Sequence, residues 1–245
     1  MLSVQDLSKH FGGLRALDGV SFKVNANDVH ALIGPNGSGK TTMLNVLSGI
    51  YQATRGRVVF DGRDVTELQP YQRAALGLGR TFQNIRLFTA MTVLENVVVG
   101  AERPDNPLPG GEQGLKRRAL AALDFVGMAD RAEAQIGSLS YGHQRLVEIA
   151  RIIAGSPKLI LLDEPGAGLN HIEKAELIGL LKRLKGHGLT ILIIDHDMNL
   201  VEQVADRITV LNFGKKIADG PPNSVLRNPD VIAAYLGEAS VRVAS

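Results

Sequence analysis

Residues 29–49 read VHALIGPNGSGKTTMLNVLSG. A short apolar strand runs from Val29 through Ile33, a glycine-bearing stretch covers Gly34 to Thr41, and an apolar-periodic helix continues to about Gly49. Strand, loop and helix follow one another without a spacer. Outward from this unit, RGRVVFDG ends at Gly62, and after Pro157 the pattern alternates. KLILLDEP is followed by a helix near Ile172 to Lys185, then LTILIIDH, a further short helix and RITVLN. The apolar runs Leu159 to Leu162 and Ile191 to Ile194 have the form of parallel strands covered by helices on both faces. Such alternation predicts an α/β fold built on a parallel sheet.

The two ends read differently. LSVQDLSKHF and VSFKV near the start predict antiparallel strands, and so do RITVLNF and KKIADG, joined at a turn near Gly214. Between roughly Asn84 and Ser156 the pattern is helical without a convincing strand, and it contains the Pro/Gly-rich stretch ERPDNPLPGGEQG. Leu115, Ala119, Ala122, Leu123 and Val126 share one helix face, with the basic residues Lys116, Arg117 and Arg118 largely off it. The expected organisation is therefore a core of residues 1–83 and 157–245, with a helical lobe inserted at 84–156.

Composition narrows the function classes. The chain has 245 residues, 44% of them hydrophobic and 21% charged, so a full core can be built. Its formal net charge of +2 argues against a nucleic-acid partner. The sequence has no Cys, which removes disulfides, thiolate metal sites and Cys nucleophiles and makes a reducing, cytoplasmic setting the expectation. No apolar run approaches the roughly 18 residues of a membrane span, and the start MLSVQDLSKHF has no signal-like apolar segment.

Gly34 and Gly39 flank four residues and precede Lys40 and Thr41, the spacing of a phosphate-binding P-loop. Glycines at both ends let successive N–H groups turn inward toward phosphate oxygens, and the following helix adds its positive end. Lys40 brings charge to the β and γ phosphates, and the Thr41 hydroxyl is a ligand for Mg2+. The LILL strand ends in Asp163 and Glu164, which places two carboxylates at the carboxyl edge of the sheet. Asp163 is positioned to hold Mg2+ directly or through water, and Glu164 to polarise an attacking water. These residues alone leave kinases, GTPases, helicases and transport ATPases open.

The remaining motifs choose among them, because the chain resembles the ATP-binding cassette family over nearly its whole length. LSYGHQ at 139–144 resembles the family's LSGGQ signature and stands just before a helix with Leu146, Ile149, Ala150 and Ile153 on one face. Ser140 and Gly142 keep the hydroxyl and the glycine that let backbone N–H approach phosphate. The resemblance implies further roles. Gln83 in RTFQN is similar to the Q-loop glutamine, which contacts metal or water and links the sheet core to the helical lobe. His196 is similar to the switch histidine that contacts the γ-phosphate, Phe11 to the aromatic that stacks on adenine, and GAGLN at 166–170 to the D-loop. The expected nucleotide-binding set is Phe11, Gly34, Pro35, Asn36, Gly37, Ser38, Gly39, Lys40, Thr41, Thr42, Ser140 and Gly142. Thr41, Gln83 and Asp163 are the expected Mg2+ ligands, and Glu164, His196 and Gln83 the expected catalytic residues.

Several positions depart from the family pattern. Tyr141 replaces the first signature glycine, His143 stands where glutamine is usual with Gln144 after it, and Asn170 replaces the D-loop acid. Asn27 and Asp28 precede the P-loop strand instead of Gly and Glu, and Asn tolerates the left-handed backbone that Gly would supply. Tyr141 and Asn170 belong to one branch. FGGLRALDGVSFKV (11–24), ALGLGRTFQNIRLFTAMTVLENVVVGA (75–101) and IAAYLGEA (232–239) are similar to ATPase subunits of branched-chain or hydrophobic amino acid importers. The stretch around Asn106 looks shorter than in many members of that branch.

The branch implies ATP as substrate and two cassettes working as a pair, because the signature of one completes the nucleotide site of the other. It implies two transmembrane permease subunits, docked around Gln83 to Val97, and a solute-binding protein met only indirectly. The cassette would then sit on the cytoplasmic face of the membrane through its permeases. Importers of amides or urea, and a soluble non-transport cassette ATPase, are the alternatives. A GTPase is disfavoured because no NKxD base-reading motif is present, and a non-catalytic module because Lys40, Asp163, Glu164 and His196 all are.

Overall fold

A computed structural model describes residues 1–102 and 110–242, with side chains described through residue 236. Most of the Pro/Gly-rich stretch around Asn106 lies outside the described residues. The chain opens with β1 (Leu2–Phe11), β2 (Leu14–Val24) and β3 (Val29–Ile33), then α1 (Lys40–Leu47), β4 (Arg55–Phe60) and β5 (Arg63–Asp64). Next come α2 (Pro70–Ala75), β6 (Leu78–Arg80), α3 (Val93–Ala101), α4 (Gly111–Phe125) and α5 (Tyr141–Ala154). The last third holds β7 (Leu159–Asp163), α6 (His171–Gly186), β8 (Thr190–Ile194), α7 (Met198–Val204), β9 (Arg207–Asn212), β10 (Lys215–Gly220), α8 (Pro222–Val225) and α9 (Pro229–Arg242).

Two sheets result. The six-stranded one has the order β10-β9-β3-β8-β7-β6, parallel throughout except for the antiparallel edge strand β10. The four-stranded one, β2-β1-β4-β5, is antiparallel. Every residue of β3, β7 and β8 is buried, which is why these strands read as apolar runs without alternation. Their side chains still alternate in direction. Ala31, Ile33, Ile160, Leu162, Ile191 and Ile193 join a core with the helices α3 to α7. Leu32, Leu159, Leu161, Leu192 and Ile194 enter a second core with α1 and the antiparallel sheet.

Residues 84–156 contribute α3, α4, α5 and two short 3-10 turns, and among the described residues their only β pairing is the single bridge Thr92 to Gln135. Ala119, Ala122, Leu123 and Val126 are buried and Leu115 packs against them, as the periodicity predicts. Lys116 and Arg117 are exposed, while Arg118 is half-buried.

Local patterns missed several features. The second strand begins at Leu14, well before VSFKV, because ten residues of β1 across from it supply the pairing. The P-loop helix ends at Leu47, and Gly49 turns left-handed at φ 83° with no room for a Cβ between Leu68 O and Arg73 Nε. Arg73 closes that end. Its guanidinium is fully buried and donates to Val46 O, Leu47 O, Thr66 O and Leu68 O at 2.7–3.0 Å, so its charge is compensated by carbonyls at the end of α1 and in the loop before α2. Asn27 adopts the left-handed backbone expected of it, at φ 62°, with its N–H bonded to Thr190 Oγ1 at 3.0 Å.

His30 is buried on β3, with Nε2 2.8 Å from Thr209 Oγ1 and no partner on Nδ1 among the described residues. Burial lowers its pKa from 6.5 to about 4, with Asp219 opposing, Arg207 assisting and Asp28 opposing. The folded state therefore favours the neutral ring, and its stability holds above pH 6.5 and declines as pH falls toward 4. The whole window costs about 3 kcal/mol at about 1.4 kcal/mol per pH unit. Urea unfolding measured from pH 7 to 4.5 should show this slope in the wild type and a flatter one in His30→Gln. Equal slopes would exclude His30 as its source.

Candidate functional site

The parallel strands deliver their carboxyl ends to one edge. β3 leads into the glycine loop, β6 into Gln83, β7 into Glu164 and β8 into His196. Asp163 on β7 pairs in register with Ile194 on β8, and the Glu164 N–H donates to Ile194 O at 2.8 Å, so both carboxylates lie beside the strand end that carries His196.

The glycine loop is held tightly. A Cβ on Gly34 (φ 150°) would fall 2.1 Å from Leu211 O, and one on Gly39 (φ 106°) would fall 2.6 Å from Ala16 O and 2.9 Å from Leu17 Cδ2. Only glycine fits either place. Pro35 O accepts the Ser38 N–H at 3.2 Å, and Ser38 O accepts the Gly214 N–H at 3.0 Å. Lys40 Nζ curls back to Gly34 O at 2.6 Å and Pro35 O at 2.8 Å. Asn36, Gly37 and Thr41 are exposed, Thr42 is half-buried, and the buried Ser38 hydroxyl has no hydrogen-bond partner among the described residues. An orphaned hydroxyl, a flexible cation and the first-turn amides of α1 suit a polyphosphate.

Asp163 is 3% exposed. Burial raises its pKa, and Arg80 opposes this by charge and by a hydrogen bond from Nη2 to Oδ2 at 3.3 Å. Arg80 also donates to Asn45 Oδ1 and Ser48 Oγ at 2.8 and 2.6 Å, so one guanidinium ties the Asp163 carboxylate to α1. No group of three His, Asp or Glu side chains gathers among the described residues. The candidate ligands Thr41, Gln83 and Asp163 offer oxygen donors and few of them, which fits Mg2+, an ion that completes its shell with phosphate oxygens and water.

Glu164 stands in the left-handed region at φ 46°, a conformation costing about 1–3 kcal/mol for a residue with a side chain. There its Oε2 lies 3.4 Å from Gln83 Nε2 and 3.8 Å from His196 Nδ1. Three residues from three strand ends thus converge. Asp195 stabilises the loop around His196 by accepting the Gly166 N–H at 3.1 Å and the Asp197 N–H at 2.9 Å.

Phe11 is half-exposed, meets Tyr51 edge-to-face at 5.3 Å between centroids, and has Lys9 Nζ 5.0 Å from its ring. Ser140 caps α5, accepting the His143 N–H at 3.3 Å and donating to Glu173 Oε1 at 3.5 Å. Gly142 lies so close to Glu173 that a Cβ would meet its carboxylate. Ser140 and Gly142 thus pack toward α6, whereas the glycine loop packs toward β2 and β9. His143 has its Nδ1 3.4 Å from Arg131 Nη1. Asn170 accepts the Ile172 and Glu173 N–H groups at 2.9 and 3.0 Å, so its amide oxygen caps α6 as the usual acid would. Arg80, Asp195 and the backbone of Glu164 were not singled out from sequence.

A family model described as "ABC transporter" matches residues 17–167, more than half of the chain. The chain belongs to the ABC transporter family. A second model, "Branched-chain amino acid ATP-binding cassette transporter", matches residues 215–241 of the cassette. The cassette is 43% identical over 251 residues to the high-affinity branched-chain amino acid transport ATP-binding protein BraF of Pseudomonas aeruginosa, covering 98% of each chain. A solved ATP-binding cassette in its ADP conformation superposes with a TM-score of 0.88 at 36% identity, over 97% of this chain and 98% of that one. A dimeric bacterial ABC transporter cassette superposes with a TM-score of 0.80 at 28% identity, over 91% and 99%.

Gly39→Ala should weaken ATP binding about tenfold or more, since the left-handed strain and the clash with Ala16 O displace the loop amides. Titration with a fluorescent ATP analogue reads this. Wild-type affinity would place the nucleotide elsewhere.

Proposed function

We propose that the cassette binds and hydrolyses ATP to power the import of branched-chain or other hydrophobic amino acids. The observation that carries the catalytic part is the meeting of Gln83, Glu164 and His196 at the carboxyl edge of the sheet that also bears the glycine loop. In this reading the base stacks on Phe11, and the phosphates lie along Gly34, Pro35, Asn36, Gly37, Ser38, Gly39, Lys40, Thr41 and Thr42. Lys40 releases its loop carbonyls to meet phosphate oxygens.

Thr41, Asp163 and Gln83 would hold Mg2+, which when bound neutralises charge on the phosphate oxygens. Arg80 orients the buried Asp163 for that task and opposes the rise in its pKa that burial causes. Glu164 accepts the proton of the attacking water, and the strained backbone aims its carboxylate. His196 donates toward the γ-phosphate, and Gln83 orients the water or the metal shell.

Residues 84–156 act as a lobe that presents Ser140 and Gly142 to the nucleotide of a second cassette. The exposed Ser140 at the start of α5 supports this, as does the dimeric solved relative. Two ATP molecules then join two cassettes face to face, and hydrolysis releases them. Two permease subunits dock around Gln83 to Val97 and hold the pair at the cytoplasmic face of the membrane, while a solute-binding protein acts through the permeases. No helix among the described residues is long and apolar enough to cross a membrane, so solute passage is assigned to those permeases. The amino-acid assignment rests on the match at residues 215–241 and on the similarity to BraF.

Glu164→Gln should lower ATP turnover by about 100-fold or more while ATP binding persists. Turnover at the wild-type rate would remove Glu164 from the mechanism. For the solute, the complex purified with its permeases and placed in proteoliposomes should take up labelled leucine, isoleucine or valine when ATP is present. Uptake of sugars or metal ions alone would sink the amino-acid reading.

A further inference from the structure

Arg145 and Glu148 are the buried charged residues of α5, just beyond the signature, at 1% and 0% exposure. Neither was singled out from sequence. Arg145 Nη1 lies 2.5 Å from Glu148 Oε2 and 3.0 Å from Phe82 O. Its Nη2 donates to Gln83 O at 3.0 Å and to the Tyr141 hydroxyl at 3.2 Å. Glu148 Oε1 accepts the Phe82 N–H at 3.4 Å. The backbone of residues 82 and 83 is therefore gripped by one side-chain pair on the helix whose first residues are Tyr141 and Gly142.

A pair serving stability alone would be expected to satisfy every donor, yet Arg145 Nε is buried without a partner among the described residues. The fork of the guanidinium is spent on two successive carbonyls, a geometry that Lys cannot reproduce. Beyond the gripped backbone, the Gln83 side chain reaches Glu164 at 3.4 Å. A continuous path runs from Ser140, through α5 and Arg145, to the Gln83 backbone and on to the Glu164 carboxylate. Tyr141, which replaces a glycine of the family signature, is itself part of that path.

We infer that Arg145, braced by Glu148 and the Tyr141 hydroxyl, is a positioning residue that makes Gln83 follow the signature helix. The grip fixes the Gln83 backbone against the start of α5 and so sets how the Gln83 side chain meets Glu164. This rests on the reading that Gln83 and Glu164 serve hydrolysis.

The test uses the purified full chain, with Arg145→Lys, Tyr141→Phe and Gln83→Ala compared with the wild type. Arg145→Lys should lower kcat about tenfold with KM for ATP within about twofold. It should also speed amide hydrogen exchange across residues 81–84 about tenfold or more, beyond any change in the rest of the sheet. Tyr141→Phe, which removes one hydroxyl from a half-exposed ring, should shift both readouts the same way by about threefold, and it decides the matter alone if Arg145→Lys does not fold. Exchange or kcat at the wild-type level in the folded variants overturns the inference. If Gln83→Ala hydrolyses ATP normally, the catalytic reading of Gln83 fails, and the exchange data still judge the grip itself.

Discussion

Burial of one parallel sheet on both faces is the constraint from which the other features follow. β3, β7 and β8 carry buried side chains in every position, so that, His30 and Thr190 apart, the polar and charged groups emerge where the strands end. Parallel direction then collects those ends on a single edge. The glycine loop, Glu164 and His196 leave three adjacent strands there, and the short edge strand β6 adds Gln83. A core that excludes water thus assembles a polar site at its rim without any polar residue having to fold in isolation.

The joints between elements are made by arginines that are buried, as Arg73 and Arg145, or nearly so, as Arg80. Arg73 takes up the carbonyls at the far end of α1, Arg80 ties α1 to Asp163, and Arg145 ties α5 to the backbone at Gln83. A guanidinium suits this position because five donors in a rigid plane can satisfy several carbonyls at once and offset its own desolvation. Each of the three links an element adjoining the site to a neighbour.

Glu164 adds local strain at the same rim. Glu164 holds a left-handed backbone next to a strand whose every residue is buried, and the hydrogen bond from its N–H to Ile194 O keeps it there. Asp195 and Asp197 turn the neighbouring loop through backbone hydrogen bonds, which presents His196 outward. The backbone, more than side-chain packing, therefore sets where the carboxylate and the imidazole lie.

The sequence by itself determined the periodic and the contiguous. Runs of apolar residues named β3, β7 and β8, the spacing Gly34-x4-Gly39-Lys40-Thr41 named the loop, and turn residues named the β9–β10 hairpin, because each is written within a few neighbouring positions. The three-residue strand β6 was illegible, being too short for a period and existing only because β7 lies beside it. Tertiary structure alone decided that Gln83 and Glu164, 81 residues apart, would touch, and that Arg145 would grip a backbone 62 and 63 residues away. An arginine in an amphipathic helix reads as a solvated residue until strand order and burial bring carbonyls to it. Contacts of that range depend on which strand lies beside which, and no local pattern of residues encodes that order.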